Sequence, residues 1–330
     1  MIFDSESVFE ENVITVLKQH GWKDGVLRYP TERDLLDNWK GILYRNNNDI
    51  DRLGKYPLTD GEMTQIIEQI ETLRTPLALN SFVNGRTVSI TRDNKEDVAH
   101  FGKEVSLYIY DRKEIAGGKS TYQIAQQPVY PAKNKMLNSR RGDLVLLING
   151  MPLIHIELKK SGIPVSQATN QIEKYAHEGV FTGLFRLVQI FVAMNPDDAV
   201  YFANPGVDKF NPSYYFHWAD YNNEPICGGQ NPGKDEWKLF IGGTSGTAGL
   251  LSIPMAHQLI GFYTIADSAD GCLKVLRSYQ YIAANAISDV VRKCDWEQRP
   301  SMPGRPWRLC VAHHRFRQDH DQLQIGSAHC

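Results

Sequence analysis

The sequence predicts an α/β fold, and three observations carry that prediction. Two apolar runs, 143–148 and 151–159, flank an Asn149-Gly150 pair, a strong short-range signal for a β-hairpin. Upstream, TVSITRD, EVSLYIYD and STYQIAQQPVY read as strands, joined by polar turns such as Ala116-Gly117-Gly118. Helical periodicity surrounds these strands. Over residues 6–20, Val8, Phe9, Val13, Ile14, Val16 and Leu17 recur at the spacing of an amphipathic helix that ends near Gly21.

Residues 31–80 read as further helices, with Thr59-Asp60-Gly61-Glu62 opening one over 62–73. After the hairpin comes a helix in which Gln171 and Tyr175, four apart, face the same way. Residues 187–194 form a continuous apolar run, a buried strand, and 199–204 its short partner. Residues 205–250 are rich in Pro and Gly and read as loop; Gly229-Gln230-Asn231-Pro232-Gly233-Lys234 lacks the spacing of a phosphate-binding loop. Residues 251–295 read as helical.

The hairpin carries charge where charge is costly. Its strands are Leu, Val and Ile on both faces, which predicts a central, covered position. Yet Asp143 opens the first strand, and Glu157 and Lys159 stand two apart on the second. Each buried charge costs several kcal/mol unless a partner or metal offsets the desolvation. With a two-residue turn Asp143 lies opposite Ile156, away from Glu157. A three-residue loop, Ile148-Asn149-Gly150 with Gly150 left-handed, sets Asp143 opposite His155 and brings Asp143, His155, Glu157 and Lys159 to one face. We therefore expect the three-residue loop. Two carboxylates beside a lysine suit a hard divalent ion such as Mg2+, which takes one or two carboxylates and keeps several waters.

The pattern D-x13-E-x-K followed by Q-x3-Y resembles the PD-(D/E)xK nucleases of the RecB-like kind. The wording HIELKKSGIPVSQATNQIEKY is similar to the restriction (R) subunit of type I restriction-modification enzymes. Gly142 stands where the short name of the fold has Pro. The resemblance implies a central mixed sheet flanked by helices, a nuclease domain over 1–250 with its core at about 80–205, and a helical C-terminal linker over 251–300 that begins a helicase motor. It makes Asp143 and Glu157 metal ligands, Lys159 the catalytic lysine, and Gln171 and Tyr175 the Q-x3-Y pair. It also implies Mg2+-dependent hydrolysis of double-stranded DNA, in complex with modification and specificity subunits. A further acidic residue can come from the first helix, where Glu10 or Glu11 is a candidate and a solvated helix face the alternative. Lys133, Lys135, Arg140 and Arg141 are candidates for phosphate contact. Gln280 looks like the adenine-reading glutamine of a superfamily 2 helicase.

The tail departs from the family. Residues 301–330 have no apolar periodicity, and four of the ten His fall after residue 312. Residues 313–321 can be encoded so that a one-base shift reads TTGSGKTM, the core of a phosphate loop where the family has one. The expectation is an out-of-frame tail beginning between Pro300 and Trp307, no motor, and no ATP binding by this chain. A zinc cluster of Cys310, His313, His314, His329 and Cys330 fits none of the usual spacings.

Composition narrows the alternatives. A formal charge of −2 and 22% charged residues exclude a grossly basic nucleic-acid-binding domain, though not a local patch. No run of 18 apolar residues occurs, the N-terminus is acidic rather than signal-like, and five Cys, none before Cys227, give no disulfide framework. The expected location is therefore cytoplasmic, away from membranes. A small-molecule hydrolase is disfavoured by the lack of Gly-x-Ser-x-Gly and His-Glu-x-x-His. A non-catalytic module that docks on a modification and specificity complex is the reading of a different class.

Overall fold

The computed structural model describes residues 2–115, 117–130, 140–229, 235–269 and 271–293. Its elements run α1 (Glu6–Gln19), β1 (Val26–Arg28), α2 (Glu32–Asn46), α3 (Asp60–Thr72), α4 (Pro76–Asn84), β2 (Thr87–Thr91), β3 (Glu104–Tyr108) and β4 (Tyr122–Gln126). Then follow β5 (Leu144–Ile148), β6 (Met151–Leu158), α5 (Val165–Glu178), β7 (Ile190–Met194), β8 (Ala199–Ala203), α6 (Glu236–Gly242), α7 (Met255–Gly261), β9 (Thr264–Asp267), β10 (Cys272–Val275) and α8 (Ser278–Lys293).

The central sheet has six strands in the order β1-β4-β5-β6-β7-β8. It is mixed: β1 lies parallel to β4 and β6 to β7, while the other neighbours are antiparallel. All residues of β4, β5, β6, β7 and β8 are buried, as the two-sided apolar runs predict. α5 supplies the crossover that two parallel strands require. Its Ala168 and Ile172 pack with Phe191, Ala193, Val200 and Phe202 of β7 and β8. Strands β2 and β3 pair with each other in a separate two-stranded sheet.

Local chemistry sets the helix starts. Thr31 with Asp34, and Thr59 with Glu62, form reciprocal capping boxes at α2 and α3, and Ser5 caps α1. Glu62 does more than cap. It accepts from the Asp93 backbone N–H at 2.9 Å and from the fully buried Arg92 at 2.7 Å. Arg92 also donates to Asp97 and to the Tyr56 carbonyl, both at 3.1 Å.

The central hairpin corrects the expected three-residue loop. Asn149 (φ 53) and Gly150 (φ 83) both take left-handed backbone, so a two-residue turn pairs Ile148 with Met151. Leu147 pairs with Pro152, but Leu146 pairs with Ile154, leaving Leu153 without an opposite residue. This bulge shifts the register by one residue in the opposite direction to the expected loop, so the side-chain parity is the same but Asp143 falls opposite Glu157 rather than His155. Pro152, which has no N–H to offer a ladder, sits where the ladder is interrupted. Gly150 is also hemmed in, since a Cβ there would meet the Trp39 Cα at 2.8 Å. Gly150→Ala is expected to cost about 1–3 kcal/mol from backbone strain, read as a lower denaturation midpoint in urea with an unchanged slope.

Two further segments differ from expectation. Residues 236–242, read as loop, form α6, whose Trp237 meets Phe9 of α1 edge to face at 5.2 Å. The expected helical run over 251–295 is interrupted by the β9–β10 hairpin, and helix resumes only at Ser278. Residues 251–286 belong to the same compact unit as the sheet; Trp22 donates to the Leu251 carbonyl, and Tyr201 to that of Leu276. The second unit begins at Ile287. Among the described residues no helix is long and apolar enough to cross a membrane. The tail over 301–330 and the zinc candidates lie outside the described residues, as do Lys133 and Lys135.

Candidate functional site

Because β5 and β6 are shifted by the bulge, Leu144 stands opposite Ile156, and one residue further the register sets Asp143 opposite Glu157. Opposite residues in a ladder share a face, and side chains two apart share it too. Asp143, His155, Glu157 and Lys159 therefore converge on one side of the sheet, as expected, though through a different turn. That side lies under α5, because Phe191 and Ala193, the partners of His155 and Glu157 on β7, pack against it.

Glu157 is the centre. It is fully buried, and neither carboxylate oxygen has a hydrogen-bond partner. Its Oε1 lies 3.8 Å from Lys159 Nζ, and its Oε2 lies 3.3 Å from His155 Nε2. Burial pushes its carboxyl up to about 8, against the pull of the Lys159 charge, and the Asp143 carboxyl stands within hydrogen-bonding range. Burial also holds Asp143 well above the ordinary carboxylate range, with the Glu157 charge adding to the shift. Asp143 Oδ2 accepts from the Leu158 N–H at 2.7 Å, so the two strands clamp it in place.

Lys159 is 7% exposed; its ammonium donates to the Leu158 carbonyl at 2.9 Å and lies 3.6 Å from Glu6 on α1. Of the two acidic candidates on α1, Glu10 is buried and its charge reaches both Asp143 and Glu157. Gln126 and Gln127 donate to its carboxylate, and burial raises its pKa. Glu11 instead pairs with Arg28 at 2.7 Å.

Gln171 and Tyr175 act as one unit. Gln171 donates to the Tyr175 hydroxyl at 2.7 Å, and Tyr175 donates to the Arg141 carbonyl at 2.8 Å. The pair thus grips the chain two residues before Asp143. Arg140 is not free for phosphate: it makes a two-pronged ion pair with Glu178, each bond 2.8 Å. Arg141 is exposed and lies over the Tyr29 ring at 5.9 Å. Gln280 is away from this cluster in sequence and element. Its side-chain oxygen accepts from the Arg277 N–H at 3.0 Å at the start of α8.

The sequence placed His155 on the right face but assigned it no role, and Tyr130 was missed entirely. The Tyr130 hydroxyl lies 2.9 Å from His155 Nδ1, and both rings are fully buried. Burial lowers the His155 pKa to about 4. No local signal marks Tyr130, because its partner is 25 residues away in the chain.

A fully buried Glu157 carboxyl with both oxygens unsatisfied, beside the half-buried Asp143 carboxyl that the Leu158 N–H holds in place, fits a divalent cation on chemical grounds. Among the described residues no three His, Cys, Asp or Glu side chains converge into a ligand cage. Such a pair suits an ion that keeps most of its waters, as Mg2+ does, better than one needing four protein ligands.

The fold and site define an α/β protein with a buried acid–acid–lysine cluster carried on a central hairpin. Residues 4–210 match the family described as Type I restriction enzyme R protein N terminus (HSDR_N), and the chain belongs to that family. It is 29% identical over 295 residues to the type I restriction enzyme SsaAORF53P endonuclease subunit of Staphylococcus saprophyticus, covering 87% of this chain. It is 29% identical over 289 residues to the SauMSSORF170P endonuclease subunit of Staphylococcus aureus. The chain spans 27% of the length of each of these staphylococcal relatives. Similarity to the EcoprrI endonuclease subunit of Escherichia coli is 27% over 325 residues, covering 95% of this chain and 90% of that protein.

Proposed function

We propose that this chain is the endonuclease part of a type I restriction enzyme R subunit, hydrolysing phosphodiester bonds of double-stranded DNA with Mg2+ on a PD-(D/E)xK fold. The observation that carries the reading is the unsatisfied Glu157 carboxylate, buried between Asp143 and Lys159. Asp143 and Glu157 would hold the ion. When bound, it supplies a more acidic water and neutralises charge on a phosphoryl oxygen. Lys159 sets a cation beside the reacting phosphate, orienting the attacking water and stabilising the charge that develops. Tyr175 and Gln171 hold the backbone at Arg141, so that Asp143 keeps its place on the strand. Glu10 adds negative charge to the same end of the sheet, favouring a cation there.

Partners and motor belong to the same proposal. Modification and specificity subunits would supply the recognition sequence, and ATP would drive a motor in longer relatives. The amide NH2 of Gln280, not used in the bond to Arg277, would then be available to adenine. Residues 1–330 contain no Gly-x4-Gly-Lys-Ser/Thr sequence to cradle its phosphates. Cleavage by this chain by itself is expected to be weak, indifferent to sequence and unstimulated by ATP.

Calorimetric Mg2+ titration tests the reading. With Glu157 at about 8 and its neighbour Asp143 raised by burial, the pair holds a proton at neutral pH that a bound cation expels. Titration at pH 7 in buffers of different ionisation enthalpy is expected to show release of about one proton per ion. Asp143→Ala is expected to abolish binding. A docking module without catalytic metal would show no difference between wild type and Asp143→Ala, and no proton release.

A further inference from the structure

We propose that Tyr130 and His155 form a buried relay that positions the Glu157 carboxylate, and that Gly142 is the residue that makes room for it. The inference rests on the reading of Glu157 as a metal ligand and adds residues that this reading does not use. The three groups lie in line: Tyr130 Oη is 2.9 Å from His155 Nδ1, and His155 Nε2 is 3.3 Å from Glu157 Oε2. All three are fully buried. Phe181, Phe191 and Tyr175 surround the imidazole at centroid distances of 5.5, 5.9 and 6.3 Å, which fixes its plane.

Proton placement follows from what each atom can accept. A neutral imidazole has one N–H. Once a bound cation has expelled the Glu157 proton, a hydrogen on Nδ1 would leave the bare Nε2 presenting its lone pair to an ionised carboxylate oxygen. With the hydrogen on Nε2, the Tyr130 O–H donates into Nδ1 and the Nε2–H points at Glu157 Oε2. His155 Nε2 has no hydrogen-bond partner elsewhere, and the group within its reach is Glu157 Oε2. The second arrangement satisfies every polar atom in the line. It turns one carboxylate oxygen towards His155 and leaves Oε1, on the Lys159 side, to face the site. A partner that fixes a ligand from behind in this way commonly contributes 10- to 100-fold to metal affinity.

Gly142 ties the relay to the backbone. A Cβ at this position would lie 2.4 Å from Tyr130 Oη, 2.8 Å from His155 Cε1 and 3.0 Å from Tyr130 Cε2. Any side chain there, including the Pro of the short motif, would push both rings out of line. The departure from Pro before Asp143 is thus coupled to the presence of the Tyr–His pair.

The test uses the full chain, with Mn2+ as a paramagnetic probe and 15N-histidine spectra. With diamagnetic Mg2+ bound, wild type is expected to show His155, assigned by its loss in His155→Gln, as the Nε2–H tautomer. Tyr130→Phe, which keeps the ring and removes only the hydroxyl, is expected to weaken Mn2+ binding about tenfold and to mix the tautomers. His155→Leu and Gly142→Ala are expected to weaken binding similarly, whereas His155→Gln, whose amide can donate to Glu157, should recover most of it. An Nδ1–H tautomer in Mg2+-bound wild type, or wild-type Mn2+ affinity in folded Tyr130→Phe and His155→Leu, overturns the relay. Glu157→Gln separates the two levels. If it loses Mn2+ while Tyr130→Phe does not, only the relay is wrong; if it keeps Mn2+, the metal-ligand reading fails and the relay's effect on affinity fails with it.

Discussion

Glu157→Gln is expected to lower Mg2+-dependent DNA cleavage by about a thousandfold or more, roughly 4 kcal/mol of transition-state stabilisation. In metal-free buffer at alkaline pH it is expected to make the chain more stable. Both effects come from one buried charge. The folded-state pKa of about 8 lies above the ordinary glutamate value of 4.5, so the folded chain binds a proton that the unfolded chain has released between those limits. Stability therefore falls as pH rises from about 4.5 through about 8, by roughly 1.4 kcal/mol per unit of pKa difference. Glutamine stays neutral and escapes that loss, a gain on the order of a few kcal/mol at pH 8.5 and little at pH 4.5. Urea denaturation at the two pH values in a chelating buffer reads the difference directly. Lys159→Ala provides the contrast: cleavage should be lost while Mg2+ binding remains, because both carboxylates are intact. Wild-type cleavage by either variant would remove the active site from this hairpin.

Arg92→Ala is expected to cost about 3–5 kcal/mol of stability without touching the site, because it leaves the buried Glu62 carboxylate without its cation and Asp97 with His100 alone. Glu62 and Asp97 are both buried and both face the Arg92 guanidinium, at 2.7 and 3.1 Å. Glu62 also caps α3 and holds the Asp93 backbone, so its charge cannot turn to solvent without giving up those bonds. Adding Glu62→Gln to Arg92→Ala removes the stranded charge and should recover part of the loss. A urea midpoint within error of wild type for Arg92→Ala would show that water reaches this cluster freely.

Much of the site could be read from pattern, and the unread parts share a physical reason. Shared faces on a strand and a helix follow from periods of 2 and 3.6, so the convergence of Asp143, Glu157 and Lys159 and the pairing of Gln171 with Tyr175 were legible. The loop was not. A two-residue turn with a bulge and a three-residue loop give side chains the same parity, and only the register at Leu153 tells them apart. Tyr130, Gln126 and Gln127 reach the site through tertiary contact alone, and no spacing announces them. Short elements were the other failure. α6 has seven residues, two turns, too few for a stripe of Trp237, Phe240 and Ile241 to stand out among the surrounding Gly and Pro. In β10, Leu273 and Val275 are the buried alternates of a four-residue strand, and the apolar residues that follow blur them into a helix.

Leu153 changes how the spacing of this motif should be searched for in genomes. The thirteen residues between Asp143 and Glu157 are the sum of a regular hairpin and one inserted residue. A gene lacking that codon would set the same carboxylates face to face with twelve residues between them, on a straight ladder. A search string with one fixed gap length would discard that gene, although its chemistry would be unchanged. Loss of the Leu153 codon can thus be absorbed by the strand, whereas a single-codon change between Glu157 and Lys159 would turn the lysine to the opposite face.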